Sequence, residues 1–268
     1  MPSPELDPIT DPEFVMSSIG DLIELGNRQD PEGIRVRGLV PGEFEAYVRI
    51  LHPAWADESR ERHVTWAEIA AASGARLDGT VSFRRITVSP GSDIPLGPQG
   101  AWAEDATPLT GTLPEEETKA LLNLLTPSAV CWFVLWEGWD GLRLDPQQVS
   151  VLWHGNPHLV YRGPIEVIRR FEWSRRWQIP HLWFADDRTW CVGSDIEAYD
   201  TYVGGSVDLV ERIVAAPELE ALRVHPEDLA IVLGDWGIVR CTFWRPRNAH
   251  ARGSAPPSHR VQPSIGPA

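Results

Sequence analysis

The residues of this 268-residue chain that could do chemistry gather in its second half. Asp186, Asp187, Asp195, Glu197 and Asp200 concentrate carboxylates in one short stretch beside Trp183 and Trp190. Paired carboxylates against aromatic walls are the equipment of glycoside hydrolysis. One acid protonates the leaving group and the other attacks or activates water. Asp186, Asp187 and Asp195 are therefore the catalytic candidates. Hairpin turns also favour Asp, because its side chain bonds the nearby backbone. Solvated turn acids are the simpler expectation for the whole group.

His154-Gly155-Asn156-Pro157-His158, with His181, supplies three imidazoles that could share an ion if the loop folded back. Gly155 and Pro157 break any helix, so the HxxxH geometry is excluded. A closed metal site needs three or four converging ligands. Solvent-exposed loop histidines are the expectation here, with no metal and no cofactor. Gly204-Gly205-Ser206 could cradle an anion at a helix start. Asp208 and Glu211 occupy the first turns after it and would repel the anion, so a glycine turn with a Ser N-cap is expected. Trp66-Ala67-Glu68-Ile69-Ala70-Ala71-Ala72-Ser73-Gly74 resembles the first helix of a helix-turn-helix. The next residues, Leu77-Asp78-Gly79-Thr80 and then Val81-Ser82-Phe83, are turn-like and strand-like, so a capped core helix is the better reading. GxSxG, GxxxxGK[ST] and GxGxxG in a strand–turn–helix setting are all absent. Cys131, Cys191 and Cys241 have large apolar neighbours, the habit of buried reduced thiols rather than of a disulfide, a zinc site or a thiol dyad.

The chain holds 13 tryptophans against four tyrosines. Trp136, Trp139, Trp183 and Trp190 belong to two dense runs and are the binding candidates, as wall of a pocket or as aromatic core. Hydrophobic content of 43% and charged content of 23% are those of an ordinary soluble protein. No run approaches the ~18 apolar residues that span a bilayer. The acidic, proline-rich start lacks the basic and apolar parts of a secretory signal, so a cytoplasmic protein is expected. The net charge of −14 repels nucleic acid and anionic membrane at range, and would attract a basic protein partner.

The elements that must position these residues are legible in outline. Residues 1–34 read as an acidic flexible arm with one short helix between Phe14 and Leu25. Residues 35–244 read as a single globular domain, and 245–268 as a disordered basic tail rich in Pro, Ser and Arg. Phe44, Tyr47, Val48 and Leu51 share a helical face, which predicts a helix from Glu43 to Leu51. Thr65 and Glu68 form a capping box for a helix from Trp66 to Ser73, with Gly74 as its C-cap. Val81–Val88 reads as a short strand, and 90–108 as a surface loop. Pro114 at N1 starts a helix carrying Leu121, Leu122, Leu124 and Leu125. Strands are expected at 130–136, 149–153 and 159–161. A helix starts at Pro164, and strands at 181–185 and 189–194 flank Asp186-Asp187-Arg188. Ser206 caps a helix to Ala216, and a last hairpin joins 231–233 to 238–243. Helices first, then strands with interspersed helices, give an α+β fold: a helical N-terminal part followed by a mostly antiparallel sheet.

Four segments in this order, Phe44–Pro53, Gly111–Pro114, Cys131–Trp139, and Trp190–Gly193 with Asp200–Ser206, resemble a family of uncharacterised actinobacterial cytosolic proteins. The resemblance implies one globular unit over Arg35–Phe243 and brings no activity with it. The expected function is a soluble interaction or binding protein with an acidic surface and a Trp-rich core. The alternative is a hydrolase using carboxylates of the 186–200 region beside a Trp-lined cleft.

Overall fold

A computed structural model of the chain describes residues 6–28, 30–57, 59–87, 106–128, 130–139, 142, 145–170, 172–173 and 176–232. All of them fall in one compact unit, Met1–Asp235. Its frame is a nine-stranded sheet. In chain order the strands are β1 (Asp7–Pro8), β2 (Ala46–Leu51), β3 (Cys131–Trp136), β4 (Ser150–Trp153), β5 (Asn156–Gly163), β6 (Leu182–Ala185), β7 (Cys191–Gly193), β8 (Asp200–Gly205) and β9 (Ala221–Val224). Across the sheet they run β1-β5-β3-β6-β7-β8-β2-β9, with β4 also paired to β5, and every pairing is antiparallel. The fold is α+β, with a large antiparallel sheet and interspersed helices.

Both faces of the sheet are covered. Val48, Ile50, Phe133, Leu135, Leu159, Tyr161, Trp183, Val192 and Val203 point to one side. There they meet Leu121 and Leu122 of a helix at Glu115–Leu124, Val167 and Ile168 of a 3₁₀ turn, and Leu209, Val210 and Ile213 of a helix at Val207–Ala215. The alternate residues point the other way. Trp132 stacks on Phe184, and Phe14 of the helix Pro12–Gly26 lies against Trp132. Burial on both faces explains the unbroken apolar run of β3, because alternation fades when neither face meets water. A smaller cluster, with Trp66, Ile69, Phe83 and Ile86, packs beneath Leu51 and Leu222.

The helix Trp66–Ser73 has its capping box, and Gly74 takes the left-handed conformation at φ 73°. The Glu220 carboxylate accepts from the backbone N–H of Trp66 and Ala67 at 2.6 and 2.7 Å. Ser206 caps Val207–Ala215, and Glu45 accepts from the Val207 N–H. Both helix starts are thus occupied by the chain's own carboxylates, which complement the helix dipole and shut out an external anion.

Four expectations are corrected. Residues 46–51 form a central strand, not a helix. Val48 and Ile50 go to one face while Tyr47, Arg49 and Leu51 go to the other, and two-sided burial imitates a helical stripe. Phe83–Ile86 is a helical turn rather than a strand, with Phe83 and Ile86 both buried. Residues 6–28 and 30–34 are no separate arm. β1 pairs with β5, Gly33–Arg35 pairs with Leu229–Val232, and Val15, Ile19 and Ile23 are buried. Pro114 is the N-cap of its helix rather than N1. The expected loop at 90–108 falls mostly outside the described residues, as do the last strand at 238–243 and the tail at 245–268.

Gly193 measures how closely the N-terminal layer sits on the sheet: a Cβ there would stand 2.0 Å from the Leu39 carbonyl oxygen. Gly193→Ala is expected to destabilise the protein by more than about 3 kcal/mol in urea unfolding, because the backbone of residues 36–40 must move. Gly155→Ala, at φ 80° with no atom within 4 Å of the added Cβ, should cost only about 1 kcal/mol.

Candidate functional site

The antiparallel order divides the candidate residues between two ends of the sheet. Asp186 and Asp187 lie on the turn between β6 and β7 and are exposed. Asp186 accepts from the Trp132 indole N–H at 2.7 Å and from Arg162 at 3.0 Å. Asp187 holds the turn through the Thr189 backbone and hydroxyl. Asp195 lies beyond the other end of the same hairpin, where Leu182 pairs with Gly193. Four or more strand residues, roughly 13 Å, separate it from Asp186. The Asp186 and Asp195 carboxylates do not converge on one point, as two-carboxylate glycoside hydrolysis requires. The tryptophans divide too. Trp183 and Trp190 are packed edge to face at 5.7 Å in the main core. Trp136 and Trp139 are half-buried at the Asp195 end.

That end is the candidate site. It gathers the end of β3 (Trp136), the β4–β5 turn (His154), β5 itself (His158), the start of β6 (His181) and the residues after β7 (Ser194, Asp195). The expectation of solvated histidines is wrong: His158 is 1% exposed and His181 0%, and the His154 side chain 5%. Asp195 is largely buried and Asp200 fully so, which corrects the reading of both as solvated turn acids. His158 is carried inward because it sits one residue before the buried run Leu159–Tyr161 and directly opposite Trp136.

Asp195 Oδ2 lies 3.3 Å from His154 Nδ1, and the Gly38 carbonyl lies 3.1 Å from His154 Nε2. Burial opposes the Asp195 charge. The hydrogen bond and charge of His154 outweigh it and hold the carboxyl below its ordinary value. His158 donates from Nδ1 to the Asn156 carbonyl at 2.9 Å, and burial lowers its pKa to about 4. His181 stacks on Trp139 with ring centres 5.1 Å apart and meets His158 edge to face at 5.4 Å. Burial holds His181 well below its ordinary value, and His158 adds to the effect. Among the described residues no group of three or more His, Cys, Asp or Glu is arranged to hold a metal ion.

A second polar network, unforeseen from the sequence, lies at the same end. His52 donates from Nδ1 to the Leu109 carbonyl at 2.7 Å, so its Nε2 accepts from the Thr201 hydroxyl at 2.9 Å. Thr201 in turn accepts from Ser194 at 2.7 Å. The order hydroxyl, imidazole, carbonyl resembles a nucleophile relay, yet Thr201 and His52 are fully buried and no substrate reaches them. Beside it Arg49 donates two hydrogen bonds to Asp200 Oδ2 and one each to the carbonyls of Gly79 and Val81, under the face of Trp66. Burial works against the Arg49 cation, and the Asp200 charge more than offsets it. The two described cysteines are buried free thiols, as expected. Burial pushes Cys131 up to about 12 and Cys191 higher still, so neither is a thiolate nucleophile at neutral pH. Cys241 lies outside the described residues.

No helix among the described residues is long and apolar enough to cross a membrane. Compared with protein-family models, with curated proteins and with solved structures, the chain matches none of them.

The buried imidazoles set the response to acid. An unfolded histidine takes up its proton near pH 6.5, but His52 and His158 do so only near pH 4 when folded. Their contribution is complete above pH 6.5 and is lost as pH falls from 6.5 to 4. It amounts to about 3 kcal/mol for each, at 1.36 kcal/mol per unit. The urea midpoint should be flat between pH 7 and 8 and fall steeply below 6.5. His52→Asn, which can still donate to the Leu109 carbonyl, should flatten that fall by one histidine's share. An unchanged slope would show that His52 titrates normally. Removing Arg49 tests the buried pair: Arg49→Ala should cost about 3–5 kcal/mol by leaving Asp200 buried without its cation. Arg49→Met combined with Asp200→Leu should cost less.

Proposed function

We propose that the protein is a non-catalytic binding protein whose acidic surface docks a basic protein. The observation that carries this reading is how the charge is distributed. The net charge is −14, and many cations of the described residues are held in ion pairs within the chain, while Arg28, Arg84 and Arg85 are exposed without one. Arg35 is held by Asp30, Arg37 by Glu227, Arg188 by Asp21, Arg212 by Asp208 and Lys119 by Glu115. Glu24, Glu43, Glu61, Glu166 and Glu218 are exposed and have no cationic partner among the described residues. Such a surface raises the local concentration of a cationic partner and speeds its encounter.

The separation of Asp186 from Asp195 and the protonated thiols favour binding over hydrolysis. The resemblance of the four segments to an actinobacterial family is part of the same proposal, and it adds no activity to it. A lysine- and arginine-rich protein immobilised on a sensor surface is the probe. Its affinity for the full chain should drop at least tenfold as the Debye length is cut from about 30 to about 10 Å. Salt-insensitive binding, or none at low salt, would overturn the reading. The hydrolase alternative makes the opposite demand: Asp186→Asn or Asp195→Asn would have to abolish turnover of a glycoside panel while the fold survives.

A further inference from the structure

The histidine cluster plays no part in an acidic docking surface, yet it is costly. His158 Nε2, at least one ring nitrogen of His181 and the Trp139 indole nitrogen are buried and have no hydrogen-bond partner. An unpartnered buried polar group is destabilising, and such groups are rare in folded proteins. Here they share one place: His181 contacts His158 at 5.4 Å, Trp139 at 5.1 Å and Trp136 at 6.4 Å.

The charges facing this place are few. His181 is faced by His158, His154 and Asp195, and a hydrogen bond to the Gly111 backbone favours its charged form without offsetting burial. His158 is faced by His154, Asp195 and the Asn156 carbonyl. Asp195 is faced by His154 and His181, by the Glu197 N–H and by the Glu197 carboxyl, which its charge raises. One inward carboxylate therefore serves three imidazoles, and His154 is already bonded to it. A proton on His158 or His181 finds no further anion within the cluster. The Trp139 face would attract an imidazolium, by less than full burial costs it.

The cover over these rings is lightly tied. Trp136 and Trp139 are only partly buried, and the Trp139 indole N–H is unbonded. Among the described residues the turn is held by the Trp139 N–H on the Trp136 carbonyl, the Leu142 N–H on the Trp139 carbonyl, the Glu137 N–H on the Pro157 carbonyl, and the Ser150 hydroxyl on the Glu137 carboxylate. Trp136 lies outside the main core on the helical side of the sheet, and Trp139 packs against its edge. We propose that His154, His158, His181 and Asp195 form an acid-sensitive latch. Charging His158 and His181 lifts Trp136 and Trp139 away and exposes the cluster, while the sheet and its helices stay folded. The driving force is the hydration that a buried imidazolium gains on reaching water.

Hydrogen exchange on the full chain tests this, comparing about pH 7.5 with about pH 5, corrected for the intrinsic rate. Resolved to single amides, Glu137 and Trp139 should lose protection by at least about tenfold, while the strand amides of 131–136, 158–161 and 200–205 should not change. His181→Phe keeps the stack on Trp139, and His158→Asn can still donate to the Asn156 carbonyl. Either variant that folds should lose the acid response. Three results would overturn the latch. The first is equal loss of protection in the core and the cluster, which is plain acid unfolding. The second is an undiminished response in a folded variant. The third is protection of the cluster by added zinc at pH 7.5, reversed by a chelator, which would make the imidazoles metal ligands. If neither variant folds, the contrast between cluster and core in the wild type decides.

Discussion

Burying both faces of the middle of a nine-stranded sheet removes water from most side chains along its central strands. Apolar residues gain from this, and polar ones must find partners inside. The strand ends, where chain direction reverses and polar residues are needed, carry the consequence. At one end the turn Asp186–Arg188 reaches solvent and the constraint is relaxed. At the other, loops and helical turns close over the strands, and Arg49, His52, His154, His158, His181, Ser194, Asp195, Asp200 and Thr201 are all taken out of water.

Two of the three groups enclosed there find partners, with only Asp200 Oδ1 of these left unbonded. Arg49 and Asp200 neutralise each other and tie β2 and β8 to the Gly79–Val81 backbone. His52 stays neutral and links Leu109 to Thr201 and Ser194. The third group, His158 with His181, is left with unpartnered nitrogens beneath partly buried indoles. Neutrality is the only inexpensive state for these rings, so the site is quiet at neutral pH and strained in acid. Its neighbour Asp195 can compensate only one of them.

Charge outside the sheet follows a simpler rule. Acids exceed bases by 14, and cations bonded across the surface leave a carboxylate surplus facing solvent. Two of those acids, Glu45 and Glu220, are turned to structural use at helix starts, where backbone N–H groups need acceptors. The remainder keeps the body apart from polyanions and open to cations.

Local chemistry is legible wherever a residue's role depends on its immediate neighbours. Thr65, Glu68 and Gly74 bound their helix, Ser206 starts another, and Asp186–Asp187 make a turn, because capping and turn formation are settled within three or four residues. The apolar run at 131–136 likewise declares a buried strand. Residues 46–51 defeat a local reading because a strand buried on both faces loses its alternation, and only its place between β8 and β9 fixes its conformation. The histidines defeat it for a related reason. Their spacing gives a loop, but burial depends on β5 lying beside β3 and on β6 lying beside β7, contacts that are remote in sequence. Composition and local order alone determined the α+β class, the acidic charge, the caps and the inert thiols. Only the tertiary structure decided that Asp186 and Asp195 stand at opposite ends of one hairpin and that three imidazoles share one carboxylate, since both depend on strand register, which is set by long-range pairing.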